Sequence, residues 1–101
     1  MKIVLGGAGV NYLSFDLKYQ HKGAVVSVEL SAQAYVRLMD FLNFADFRAG
    51  IDHKFYGGYA TRSPSEVVIP KDGHWYVVVD TGDQHGKVAG KVTASVTVKK
   101  T

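Results

Sequence analysis

The sequence contains no cysteine, no stretch of about 18 apolar residues, no low-complexity tract and no internal repeat. Without cysteine there is no disulfide scaffold, no thiolate metal site and no cysteine nucleophile. Without a long apolar run there is no membrane-spanning helix. Met1–Val10 does not read as a signal peptide, because its apolar stretch is short and broken by glycines and polar Asn11 follows directly. The expectation is a soluble cytoplasmic protein. Charge of one sign is not gathered anywhere: 12 Lys+Arg stand against 9 Asp+Glu for a net charge of +3, and the longest basic run is Lys99-Lys100. Cations spread from Lys2 to Lys100 permit an anionic partner but argue against nucleic acid, whose binders collect Lys and Arg into a stripe.

What is present describes one domain over residues 1–101. The chain is long enough for a core without staples, and at 47% hydrophobic it is too apolar to be disordered. Period two dominates. Leu13, Phe15, Leu17 and Tyr19 alternate with polar residues, and Val26, Val28 and Leu30 do so in the next segment, as do Val36 and Leu38 in the one after. The period then changes. Phe41, Phe44 and Phe47 recur at helical spacing between Asp40 and Ala49, with Asp40 or Asn43 as N-cap and Gly50 at the C-terminal cap. Further strands are expected within Lys54–Ala60, broken at Gly57-Gly58, at Glu66–Ile69, and at His74–Asp80, whose Trp75, Val77 and Val79 share a face. The last runs from Lys87 to Lys99, with Val92, Ala94, Val96 and Val98 together. Gly6-Gly7-Ala8-Gly9 is read as a glycine turn after a short edge strand rather than a dinucleotide fingerprint, since no helix pattern follows it. Seven or eight short, mainly antiparallel strands with one brief helix predict an all-β single sandwich or jelly-roll-like domain. No gap is long enough for the crossover helices of a parallel sheet.

The least generic pieces are Val36-Arg37-Leu38-Met39-Asp40, Asn43-Phe44, His53-Lys54-Phe55-Tyr56-Gly57-Gly58 and Gly73-His74-Trp75-Tyr76-Val77-Val78-Val79-Asp80. In this order they resemble the motifs of the bacterial domain-of-unknown-function family eighteen-eighty-three. The resemblance implies a single β-sandwich domain, in some relatives fused to a TIR domain of the bacterial signalling and defence kind, with no assigned activity. Phe55 departs from the family pattern, which commonly has Tyr there.

No catalytic constellation is legible. His21, His53, His74 and His85 are at least 11 residues apart, where metal sites bring ligands to i, i+2 or i, i+4, so neither a metal nor a cofactor is expected. Ser63 and Ser65 lack the Gly-x-Ser-x-Gly elbow of a hydrolase nucleophile. The candidate site is instead the segment from Arg48 to Arg62. It places Arg48, His53, Lys54 and Arg62 beside Tyr56 and Tyr59, around Gly57 and Gly58. Guanidinium forks hold phosphate or carboxylate, aromatic faces stack on bases or on arginine, and a Gly-Gly pair lets backbone N–H groups approach a ligand. The same residues also read as a structural corner with a bulge. The leading expectation is a non-enzymatic binding or interaction module for an anionic small molecule or a protein partner. The alternative is a small metal-dependent or hydrolytic enzyme using His53 and His74.

Overall fold

The computed structural model describes residues 2–4, 6–8, 12–80 and 92–100. These form nine strands and one helix. The strands are β1 (Lys2–Val4), β2 (Gly6–Ala8), β3 (Leu13–Gln20), β4 (Val25–Leu30) and β5 (Ala34–Asp40), then β6 (Tyr56–Ala60), β7 (Ser65–Val68), β8 (Gly73–Asp80) and β9 (Ala94–Lys99); helix α1 (Phe41–Arg48) follows β5. A four-stranded sheet has the order β1-β9-β4-β7 and a five-stranded sheet the order β2-β3-β8-β5-β6, and every pair is antiparallel. The pairing is nested: β1 with β9, β3 with β8, β4 with β7, β5 with β6. A long hairpin folded over in this way is a jelly roll, the expected all-β sandwich.

Alternating side chains from both sheets make the core. Phe15, Leu17, Val36, Leu38, Trp75, Val77 and Val79 meet Val26, Val28, Val96 and Val98, all nearly inaccessible. Trp75 is the largest of them, and its indole N–H donates to the Lys71 carbonyl at 3.0 Å, so the one polar atom of the ring is satisfied inside. A second, smaller core lies on the outer face of the five-stranded sheet. There α1 sets Phe44 against Met39 and Val78, with Tyr12, Phe47 and Tyr76 packed around them. This explains why β8 is apolar without a break from Trp75 to Val79: its centre is covered on both faces.

Three expectations change in detail. Gly6–Ala8 is a strand paired with β3 rather than a turn, so the N-terminal segment contributes one strand to each sheet. The alternation of β3 does not run through to Tyr19, which is exposed while Gln20 is buried. Lys18 takes a left-handed conformation (φ 59°), held by its N–H donating to Asp16 Oδ1 at 2.8 Å, and the register shifts there. In α1, Asp40 is the N-cap and accepts the Asn43 N–H at 2.9 Å, but only Phe44 is buried. Phe41 and Phe47 lie about 120° apart on the helix, either side of Phe44. Tyr12 and His53 pack on Phe47, whereas Phe41 stays half-exposed beside His74 and Tyr76. The predicted loop at residues 81–86 and the start of the strand predicted from Lys87 lie outside the described residues. Among the described residues no helix is long and apolar enough to cross a membrane.

Candidate functional site

The segment from Arg48 to Arg62 is divided among three places. Arg48, in the last turn of α1, lies over the Phe44 ring with its guanidinium carbon 5.8 Å from the centroid, where its charge also complements the helix C-terminus. His53 wedges between Phe47 (5.2 Å) and Phe55 (6.2 Å), its Nδ1 at 3.0 Å from the Ile51 carbonyl oxygen. The Lys54 N–H donates to Asn43 Oδ1 at 2.7 Å, which ties this stretch to the helix and leaves the ammonium exposed. Tyr56 to Tyr59 belong to β6, an unbroken edge strand. Arg62 stands beyond the other end of β6, lining an open rim cleft with Leu30, Ser31, Gln33 and Ser63. Arg48 therefore lies on α1 and Arg62 in the rim cleft beyond β6, and Arg48 does not line that cleft.

The two glycines have different reasons. Gly57 has φ 100°, and a Cβ there would collide with the backbone carbonyl oxygen of Val36 on β5. Gly58 has open space around it. The first is required by the close approach of the β6 backbone to that of β5; the second is not.

Over β5 and β6 the outer face of the sheet carries an aromatic surface built around an arginine. By alternation Tyr35 and Arg37 point outward, and the register sets Tyr35 beside Tyr59 and Arg37 beside Gly57, where no side chain obstructs it. The Arg37 guanidinium lies 4.4 Å from the centroid of Tyr35 and 5.2 Å from that of Phe55, and it donates to Asp80 Oδ2 on β8. Both charged side chains are largely buried, 18% and 12% exposed. The pair is thus a charge-assisted bond under an aromatic lid rather than a surface contact. Tyr59 closes on Tyr35 edge to face at 5.0 Å, and its hydroxyl donates to Gln33 Oε1 at 3.1 Å. Tyr56, on the other face of the strand, meets the edge of Trp75 at 5.9 Å while remaining half-exposed.

Towards the helix the surface continues through Phe47, Phe44 and Tyr76 to His74, which stacks on Tyr76 at 4.9 Å and contacts Asp16 Oδ1 at 2.6 Å. Partial burial pushes the Asp16 carboxyl up, but the Lys18 backbone N–H and His74 more than offset this and hold it below the usual aspartate range. Burial, reinforced by the charge of Asp16, raises the Tyr76 phenol. His53 and His74 do not converge: three rings, those of Phe47, Phe44 and Tyr76, separate them. Among the described residues no group of three His, Asp or Glu side chains is placed to hold a metal.

Sequence reasoning passed over Arg37, Tyr35 and Asp80 as site residues. The alternation of Tyr35, Arg37 and Met39 was a signal that they share a face. The partner carboxylate, 43 residues away, was not visible without the sheet register.

The fold and this surface define a small jelly-roll sandwich with an arginine-centred aromatic face beside the edge strand β6. The family model described as Domain of unknown function (DUF1883) matches residues 10–100, and the chain belongs to that family. No curated protein and no solved structure matches the chain. The family's recognisable pieces acquire physical roles here. Val36–Asp40 is most of strand β5, between β8 and the edge strand β6, with the helix cap; Asn43-Phe44 anchors α1, Tyr56-Gly57-Gly58 opens β6, and Gly73–Asp80 is the doubly covered central strand β8.

Proposed function

We propose that this domain is a non-enzymatic interaction module that engages a protein partner through the aromatic surface of β5 and β6, serving a bacterial signalling or defence system in the cytoplasm. The observation that carries this reading is the exposure of Phe55 and Tyr59 on the outer face next to a locked arginine, with Tyr56 also exposed on the other face of the same edge strand. Tyrosine and arginine are enriched among the residues that dominate the energetics of protein interfaces; tyrosine brings a large contact area with only two side-chain torsions to fix, and an arginine already held in place has less left to lose. Tyr35, Tyr59 and Arg37 are already ordered by one another and by Gln33 and Asp80, so the ordering cost of binding is small.

The test is site-specific photo-crosslinking in the native cell. A crosslinker at Tyr59 captures a defined protein that the same group at Lys71, in the turn before β8, does not. Equal capture from both positions, or none from Tyr59, overturns the reading.

A second reading, a small anionic ligand, is favoured by one feature: the rim cleft where Arg62 stands with the hydroxyls of Ser31, Thr61 and Ser63. A thermal-shift screen of nucleotides and sugar phosphates, repeated with Arg62→Ala, separates it from the first.

A further inference from the structure

Each sheet of a sandwich ends in two edge strands, whose outward N–H and C=O groups invite another strand to pair. Here β1 and β7 bound the four-stranded sheet, and β2 and β6 the five-stranded one. β1 and β2 have three residues each. β7 has four, starts directly after Pro64, stops two residues before Pro70 and exposes Glu66. Shortness, flanking proline and an outward charge are the devices by which edges are closed to strangers. β6 has none of them. It reads Tyr-Gly-Gly-Tyr-Ala, uncharged and free of proline, and pairs with β5 along its whole length. Every second residue of such a strand directs its backbone groups away from its neighbour, and among the described residues no strand pairs with that side.

We propose that β6 accepts an added strand from a partner protein, an extended segment with acidic residues at both ends; the proposal rests on the interaction reading above and specifies its mode. Main-chain bonding to a bare edge supplies affinity, and side chains alternating to the two faces supply selectivity. Tyr59 on the outer face and Tyr56 on the inner one offer aromatic contacts to either set. The charge requirement comes from the flanks. Across residues 48–63 the sequence carries Arg48, Lys54 and Arg62 against Asp52, and Lys54 and Arg62 are exposed just beyond either end of β6. A second copy of the chain is a poor occupant for the same reason. The antiparallel register that pairs all five residues sets Tyr56 opposite Ala60 of the second copy and Gly58 opposite its own equivalent. Two residues further out it sets Lys54 against Arg62 at both ends, and like charges directly opposite oppose the pairing.

The probe is a nonapeptide, Asp-Glu-Val-Thr-Val-Thr-Val-Glu-Asp, titrated into the full chain while backbone amide shifts and hydrogen exchange are followed. Binding slows amide exchange along Tyr56–Ala60, weakens by at least roughly tenfold in the Lys54→Glu/Arg62→Glu variant, and is lost when alternate peptide amides are N-methylated. That variant carries only surface changes, and unaltered melting confirms its fold. Equal binding of a Lys-flanked peptide overturns the acidic assignment. Equal binding of the N-methylated peptide, or no binding of any peptide, overturns strand addition. Concentration-dependent dimerisation that protects β6 without peptide assigns the edge to a second copy instead. If Tyr59 crosslinks a partner in the cell but β6 gains no protection from the peptide, strand addition fails while the interaction reading stands; if Tyr59 captures nothing, the interaction reading itself fails.

Discussion

A methyl group added at Gly57 would run into the carbonyl oxygen of Val36, on a backbone whose φ of 100° already disfavours any L side chain. Gly57→Ala is therefore expected to destabilise the domain by about 2 kcal/mol or more, combining left-handed strain with a collision against main chain that cannot yield. Gly58→Ala meets open space and should be neutral or stabilising by up to about 1 kcal/mol, because it narrows the unfolded ensemble. Paired thermal melts decide, and equal losses at the two positions would mean that β6 does not approach β5 as described. Asp16 yields a pH prediction at the same scale. Its carboxyl is held low in the folded state, so the folded chain binds its proton less readily than the unfolded chain does. The stability this contributes is present above the ordinary aspartate pKa of about 3.9 and is lost as pH falls through the lowered folded value. Asp16→Asn should remove that part of the acid sensitivity below about pH 4 and leave the rest of the profile in place; an unchanged acid limb in stability-versus-pH melts counts against it.

At the scale of elements, two short pieces of chain aim the outer surface. The bulge in β3 turns on Lys18, whose left-handed backbone is held by Asp16, and it brings Gln20 inside while Tyr19 faces out. Helix α1 has eight residues, too few to persist alone, and stands on its Asp40 cap and on Phe44. Asp40→Ala should cost about 1 kcal/mol through loss of the cap, and Phe44→Ala about 3 kcal/mol or more through loss of the outer core. Both should leave the circular-dichroism signal of the sheets intact at low temperature. A selective change in Tyr76 and Phe47 side-chain resonances would report the loosened helix. Arg37 and Asp80 act between elements, joining β5 to β8 under the rings of Tyr35 and Phe55. Arg37→Ala is expected to cost about 1.5–3 kcal/mol, the range for a charge-assisted hydrogen bond in a sheltered place. A variant that melts with wild type would mean that the pair is solvent-screened.

For the whole molecule, the jelly roll depends on one cluster filled from both sheets, and Trp75 is its largest member. Trp75→Ala should cost about 3–5 kcal/mol, a large share of the stability of a domain this size, and is read by denaturant unfolding. Among the described residues the nested pairing also leaves its edges unequal, with three of the four short or guarded and β6 unpaired on its outer side between two cations. That inequality gives the sandwich a distinguishable edge.

What the sequence determined by itself was local. Alternation marked the buried faces of β4, β5, β8 and β9, the phenylalanine spacing marked α1, and its start was narrowed to Asp40 or Asn43, because the face on which a side chain falls follows from backbone period within a few residues. The family motifs were legible for the same reason, as contiguous strings. The tertiary structure decided everything that joins distant residues. It paired Arg37 with Asp80 and Asp16 with His74, 43 and 58 positions apart, it divided Arg48 from Arg62, and it set β6 at one edge of the five-stranded sheet. Strand neighbours are chosen by how the whole chain closes over its core, and no short window of sequence contains that choice.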